Sequence, residues 1–160
     1  MGSLILFYNT AWKHFVNRAQ EVGIDGLIIP DLPVDVYDEK YKQIFKKYGL
    51  INVFLITPQT SEERIRYIDS ISEGFIYMVS SASVTGGSSG FQKEQIDYFK
   101  RISNMKLQAP QIIGFGISDN ESFRQATKNT KGAIIGSAFI KHLTVNGVKN
   151  IDTFVNTILQ

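Results

Sequence analysis

The sequence predicts an α/β fold, a parallel sheet with outer helices, and three observations carry that expectation. Short apolar runs suited to buried parallel strands recur along the chain. Amphipathic helical patterns lie between them. A glycine precedes several of the runs, at Gly23, Gly49, Gly74 and Gly132, where a helix must end before the chain re-enters a sheet. The repeat is helix, glycine, strand, loop, and roughly six such units fit when right-handed crossovers lay them side by side. No linker or low-complexity stretch divides them, so residues 1–160 read as a single domain.

In chain order, the expected strands are Leu4–Tyr8, Gly26–Ile29, Asn52–Ile56, Phe75–Val79, Ile112–Phe115 and Ala133–Ile135. After the first, a helical pattern places Trp12, Phe15, Val16, Ala19 and Val22 on one face, and the next groups Tyr41, Ile44, Phe45 and Tyr48. Thr60 with Glu63 and Ser118 with Glu121 have the spacing of capping boxes that start two later helices. A last helix from about Asn150 is expected to bury Ile151, Phe154, Val155 and Ile158. Asp35 and Asp119 read as helix N-caps, and the charged group Glu62, Glu63, Arg64 and Arg66 as a solvated helix face.

Composition narrows the function. Hydrophobic residues make up 43% and charged residues 20% of the chain, ordinary globular usage. The 17 basic and 15 acidic residues are interleaved, leaving no stripe of one sign to follow a phosphate backbone, so nucleic acid is not an expected partner. There is no cysteine, which removes disulfides and zinc–thiolate sites and fits a reducing compartment, so the expected location is the cytoplasm. No apolar run approaches the length of a membrane span, and no membrane partner is expected. His14 and His142 have no serine–acid or metal-ligand pattern around them, and no metal is expected.

In a parallel α/β fold the loops after the strand C-termini form the working face. Three of them are rich in glycine: Ser80 to Gly87, Gly114 to Ser118, and Gly136-Ser137-Ala138. Glycine lets a backbone come close to an anion, and a helix that starts there turns N–H groups and its positive dipole end toward it. One such loop is most simply a tight turn; three on one face point to a phosphate cradle. A dinucleotide fingerprint and a P-loop are both absent.

Four stretches carry a resemblance to a known family. Val22 to Pro33, containing Ile29-Pro30-Asp31-Leu32-Pro33, resembles the fourth strand and loop of tryptophan synthase α-subunits. Phe75 to Ser80 followed by Val84-Thr85-Gly86 resembles their sixth strand and mobile loop. Gly114 to Ser118 and Gly132 to Ala138 resemble strands seven and eight. The matches keep order and spacing from about Phe15 to the C-terminus. The resemblance implies an incomplete (βα)8 TIM barrel with about six βα units, since a whole barrel takes about 250 residues. It also implies cleavage of indole-3-glycerol phosphate to indole and glyceraldehyde 3-phosphate in tryptophan biosynthesis, a lyase reaction without a bound cofactor, in partnership with a β-subunit.

Position by position, the resemblance implies that Gly86, Phe115, Gly116, Gly136 and Ser137 contact the substrate phosphate, or a phosphate or sulfate anion in its place. Tyr77 would line the indole pocket and Thr85 would belong to the closing loop. Burial alone explains Tyr77 equally well as a core aromatic. The family's general acid–base carboxylate at the second strand and the aspartate in the loop after it have no counterpart in these residues. No catalytic residue is therefore assigned, and the chain by itself is expected to be inactive. Asp31 is the best-placed substitute acid, although a turn-capping role is its simpler account. The alternative is a truncated or engineered barrel fragment, a structural or phosphate-binding module without catalysis. An aldolase is disfavoured because no predicted strand ends in lysine. A sheet short of two strands would leave exposed edges at Leu4–Tyr8 and Ala133–Ile135, for which a homo-oligomer is the expected remedy.

Overall fold

The computed structural model describes residues 2–80 and 91–160. The chain opens with α1, Gly2–Glu21. Here the structure corrects the sequence expectation: Leu4–Tyr8 lies in this helix and not in a strand. After Gly2 the segment contains neither glycine nor proline to interrupt a helix. A short apolar run suits a strand or a helix, and as a helix the segment closes its backbone hydrogen bonds internally. Gly23, at φ +79°, ends the helix, and the Ile24 N–H turns back to the Ala19 carbonyl.

From there strand and helix alternate. β1 is Gly26–Ile28, followed by the short α2, Val34–Val36. A π-helical turn, Tyr37–Tyr41, leads into α3, Lys42–Lys47. β2 is Ile51–Ile56 and α4 is Glu62–Ile71. β3 spans Ile76–Val79 and α5 spans Lys93–Asn104. β4, Gln111–Gly114, precedes α6, Asn120–Thr127. β5, Gly132–Ile134, precedes α7, Ser137–Asn146, and a 3-10 turn leads to α8, Ile151–Leu159.

The strands form one parallel sheet in the order β1-β2-β3-β4-β5, five strands where about six were expected. Each strand lies next to the one that follows it, the winding of a barrel wall and not of a doubly wound sheet. Alternation along the strands sends Phe54, Ile56, Ile76, Met78 and Ile113 into one core with Val16, Phe45, Ile65, Ile68, Phe99, Ile102 and Ala126 of the helices. Leu55, Tyr77, Ile112 and Gly114 fall on the opposite face, the concave side of a half-barrel.

The predicted helix faces are partly borne out. Val16 and Ala19 are buried and Trp12 packs on the core, but Phe15 and Val22 are exposed. Tyr41 and Phe45 are buried, with Ile44 and Tyr48 packed against them. In α8 Ile158 is buried and Val155 exposed. The caps shift by one residue: Ser61, not Thr60, accepts from the Arg64 N–H, and Asp119, not Ser118, starts α6. Asp35 is no cap, since Pro33 precedes α2. Its carboxylate instead takes both guanidinium nitrogens of Arg64 at 2.8 Å, tying α2 to α4 and removing Arg64 from the merely solvated group. The bidentate bond holds Asp35 below the ordinary carboxylate range.

Asp119 is the N-cap with the strongest chemistry. Its Oδ1 accepts from the Ser122 hydroxyl at 2.6 Å and from the Ser122 N–H at 2.8 Å, which holds its pKa below the ordinary 3.8. A depressed folded-state pKa contributes stability above the unfolded value and loses it as pH falls through the folded one. Asp119→Ala is therefore expected to lower the unfolding free energy by about 1 kcal/mol at neutral pH. The deficit should shrink below the ordinary carboxylate pKa. Urea denaturation of both proteins on either side of that value checks it, and a deficit that does not change with pH would exclude the charged cap.

Candidate functional site

The register of three strands assembles the site. Val79 pairs with Gly114 and Gly114 with Ile134, so β3, β4 and β5 end level. Ser80, Phe115 and Ile135 follow at one height, with Gly116 and Gly136 one residue further on. Neighbouring parallel strands lie about 4.8 Å apart, which brings the second and third glycine-rich loops side by side.

Two consecutive residues in the second loop adopt positive φ, Phe115 at +68° and Gly116 at +74°. For glycine this is ordinary; for phenylalanine it is a strained conformation, of the kind that clusters at functional sites. Backbone N–H groups presented from such turns form anion-binding concavities. The Phe115 ring is 52% exposed at the mouth of the strand ends, and its carbonyl accepts from the Ser80 hydroxyl at 2.9 Å. Among the described residues, no acceptor meets the Gly116 N–H.

In the third loop, Gly136 is the residue before α7 and Ser137 is its first residue. The first N–H groups of this ten-residue helix have no partner within it, and its positive dipole end lies beside the Phe115–Gly116 turn. A Cβ built on Gly136 would meet no atom of the described residues within 4 Å, so among them the approach to the helix start is open.

Tyr77, on the concave face of β3, is 8% exposed, and burial pushes its phenol pKa upward. Its ring stands 5.9 Å from that of Phe115, and its hydroxyl end lies against Gly114. A Cβ at position 114 would overlap the phenol, so glycine is required there by close approach rather than by backbone angle.

Of the residues singled out in the sequence, Tyr77, Phe115, Gly116, Gly136 and Ser137 thus gather at one end of the sheet. Thr85 and Gly86 lie outside the described residues. Asp31 stands apart, exposed in the turn after β1, three strands from β4. His14 is exposed, and His142 packs on Phe154 with Nε2 2.9 Å from the Asn150 carbonyl oxygen, which joins α7 to the following turn. No group of three or more His, Cys, Asp or Glu that could hold a metal occurs among the described residues. Nor, among them, is any helix long and apolar enough to cross a membrane.

Two residues at the site had no role assigned from the sequence, although Ser80 opens one of the glycine-rich loops. Ser80 is 1% exposed and anchors Phe115; its signal was a polar residue placed directly after a buried apolar strand. Phe91 packs near Gly116 and on Phe99, and its N–H donates to Gln125 Oε1 at 2.9 Å. It also borders a cleft of about 280 Å³ between α5 and α6, lined further by Ile96, Lys100, Lys128 and Asn129. That cleft opens between the outer helices, not on the concave face.

Residues 1–158 match the family model for the tryptophan synthase alpha chain. The alpha chain of Flavobacterium psychrophilum is 68% identical over 146 residues, which are 91% of this chain and 58% of that protein. The alpha chain of Bacteroides thetaiotaomicron is 46% identical over 140 residues, 88% of this chain and 55% of the relative. Among solved structures, the tryptophan synthase A-subunit of the hyperthermophile Pyrococcus furiosus matches with a TM-score of 0.79 at 28% identity, covering 95% of this chain and 62% of that one. A chain of the tryptophan synthase complex from the same organism matches at 0.75 and 26% identity, over 95% of this chain and 61% of that one. The chain therefore spans a little over half the length of these curated relatives. A family match along nearly all of its residues, borne by a parallel half-barrel with the glycine-rich loops after β4 and β5 at one end, means that the chain belongs to the tryptophan synthase alpha chain family.

Proposed function

We propose that this chain carries the phosphate and indole-pocket portion of an indole-3-glycerol phosphate lyase site, serving tryptophan biosynthesis in the cytoplasm. The observation that supports it most directly is the meeting of the Phe115–Gly116 turn with the start of α7 at Gly136–Ser137. Backbone N–H groups, the Ser137 hydroxyl and a helix dipole together suit a phosphate monoester. Gly86 and Thr85 join this set by family resemblance. Tyr77, buried beside the phosphate end with its ring turned to the concave face, suits a flat aromatic group such as indole.

Cleavage also needs proton transfer: an acid to protonate the indole ring and a base to take its N–H proton. The family's two carboxylates for these steps match no position in these residues, and Asp31 stands three strands from the phosphate end. Binding without turnover is the behaviour proposed for the 160 residues by themselves. Partnership with a tryptophan synthase β-subunit is proposed for the full-length family form. For the isolated chain, the two sheet edges, β1 and β5, invite pairing with a second copy. Ile28 on β1, and Phe15, Val22 and Ile24 close before it in the chain, add exposed apolar surface on that side.

Three measurements test this reading. Inorganic phosphate should raise the melting temperature of the chain, and Gly136→Leu, which has room for a side chain but fills the approach to α7, should abolish the shift without lowering the melting temperature in phosphate-free buffer. A phosphate response that survives Gly136→Leu would place the anion elsewhere. Indole release from indole-3-glycerol phosphate should fall below that of a complete alpha subunit by at least the 10²–10⁴-fold that one proton-transfer group contributes. Turnover at the rate of a complete subunit would instead give Asp31 a catalytic part, testable in Asp31→Asn. Light scattering should report at least twice the 18.0 kDa chain mass, and a single-chain mass over a wide concentration range would reject self-association.

A further inference from the structure

We infer that Ser80 is a positioning residue for the phosphate site: its buried hydroxyl holds the Phe115–Gly116 peptide in the orientation that aims the Gly116 N–H at the anion. This rests on the phosphate-binding role proposed for these loops, and no family match assigns Ser80 a role.

Four observations carry it. Phe115 sits at φ +68°, where a bulky residue stays only if its surroundings over-determine it. The side chain that meets its carbonyl is Ser80, 1% exposed, with Oγ donating at 2.9 Å. Ser80 is itself held by two further bonds: its N–H donates to the Gly114 carbonyl at 3.2 Å, and its carbonyl accepts from Gln95 Nε2 at 3.2 Å. Gln95 is fixed in turn, its Oε1 accepting from the Gln92 N–H at 2.8 Å at the start of α5. Finally, Gly116 packs close on the same hydroxyl, since a Cβ there would stand 3.6 Å from Ser80 Oγ and 3.4 Å from the Phe91 ring.

The consequence follows from peptide geometry. In a planar trans peptide the carbonyl and the next residue's N–H point in opposite directions. Turning the Phe115 carbonyl inward onto Ser80 therefore turns the Gly116 N–H outward, away from the buried side of the strand ends. Without the hydroxyl, the carbonyl loses its buried donor, and the strained φ of Phe115 loses the bond that offsets it. The peptide is then free to rotate toward an unstrained conformation, which carries the Gly116 N–H away from the anion. Ser80 acts through this peptide and need not touch the ligand.

The test uses the full 160-residue chain labelled with nitrogen-15, titrated with inorganic phosphate and followed by amide resonances. In the parent chain, phosphate should shift the Gly116 and Gly136 amides, and Phe115 should show the strong intraresidue HN–Hα Overhauser effect of a positive φ. In Ser80→Ala that effect should weaken, the Gly116 shift should disappear, and phosphate should bind about tenfold more weakly. The Gly136 amide should still respond, a selectivity that general destabilisation would not produce. Ser80→Ala with the Phe115 signal and the affinity both unchanged would overturn the proposal. So would a lost Phe115 signal with unchanged affinity, or weaker binding with the signal intact. A parent chain that binds no phosphate would refute the proposed function and with it the aiming of Gly116. The Phe115 signal would then decide separately whether Ser80 holds the peptide.

Discussion

The level ending of β3, β4 and β5 is the constraint on which the site depends. Parallel pairing of Val79 with Gly114 and of Gly114 with Ile134 leaves no freedom in which loop residues become neighbours. A one-residue slip of β4 would turn Ile113 toward the concave face and Gly114 toward the helices. That slip is opposed from both sides. Ile113 belongs to the core with Ile76 and Met78, and Gly114 occupies a position where the Tyr77 phenol admits no Cβ. Packing of the outer layer thus decides the geometry of the inner face.

Held in that register, the chain can keep a conformation it would otherwise abandon. Phenylalanine at φ +68° is unfavourable alone, by about 1–3 kcal/mol, and it lies between two features that restrain it. On one side Ser80 donates to its carbonyl; on the other Gly116 continues the turn with no side chain to obstruct it. The ring itself is left exposed beside Tyr77, a poor use of apolar area in a fold optimised for stability alone. Strain and exposure thus fall together on one residue at the strand ends, a combination that clusters at functional sites.

The remaining half-barrel is stitched on its convex side by polar contacts between successive units. Asp35 of α2 grips Arg64 of α4, Asp38 accepts from Tyr67 of α4 at 3.0 Å, and Asp69 accepts from the Gln108 and Ala109 N–H groups that lead into β4. Exposed or half-buried, such contacts add little stability individually. Their use is in setting how one helix meets the next.

Much of this architecture is legible in the order of the amino acids. Five of six expected strands and the order of the units follow from apolar runs and glycines, because burial on both faces of a parallel strand leaves a continuous apolar signature. The glycine-rich loops are visible as well, because they follow directly on those apolar runs. Three things are not legible. Leu4–Tyr8 has a strand's composition and a helix's fate, since a short apolar run suits either. The ion pair of Asp35 joins residues 29 apart, and nothing in its own helix announces it. Ser80 meets Phe115 from 35 residues away, a contact that exists only once β3 lies beside β4. The sequence alone therefore determined the family and the strand–helix alternation, because these depend on local pattern. Tertiary structure alone decided the edge of the sheet, the partners of the buried polar groups and the angle of the Phe115–Gly116 peptide, because each depends on which strands and helices become neighbours.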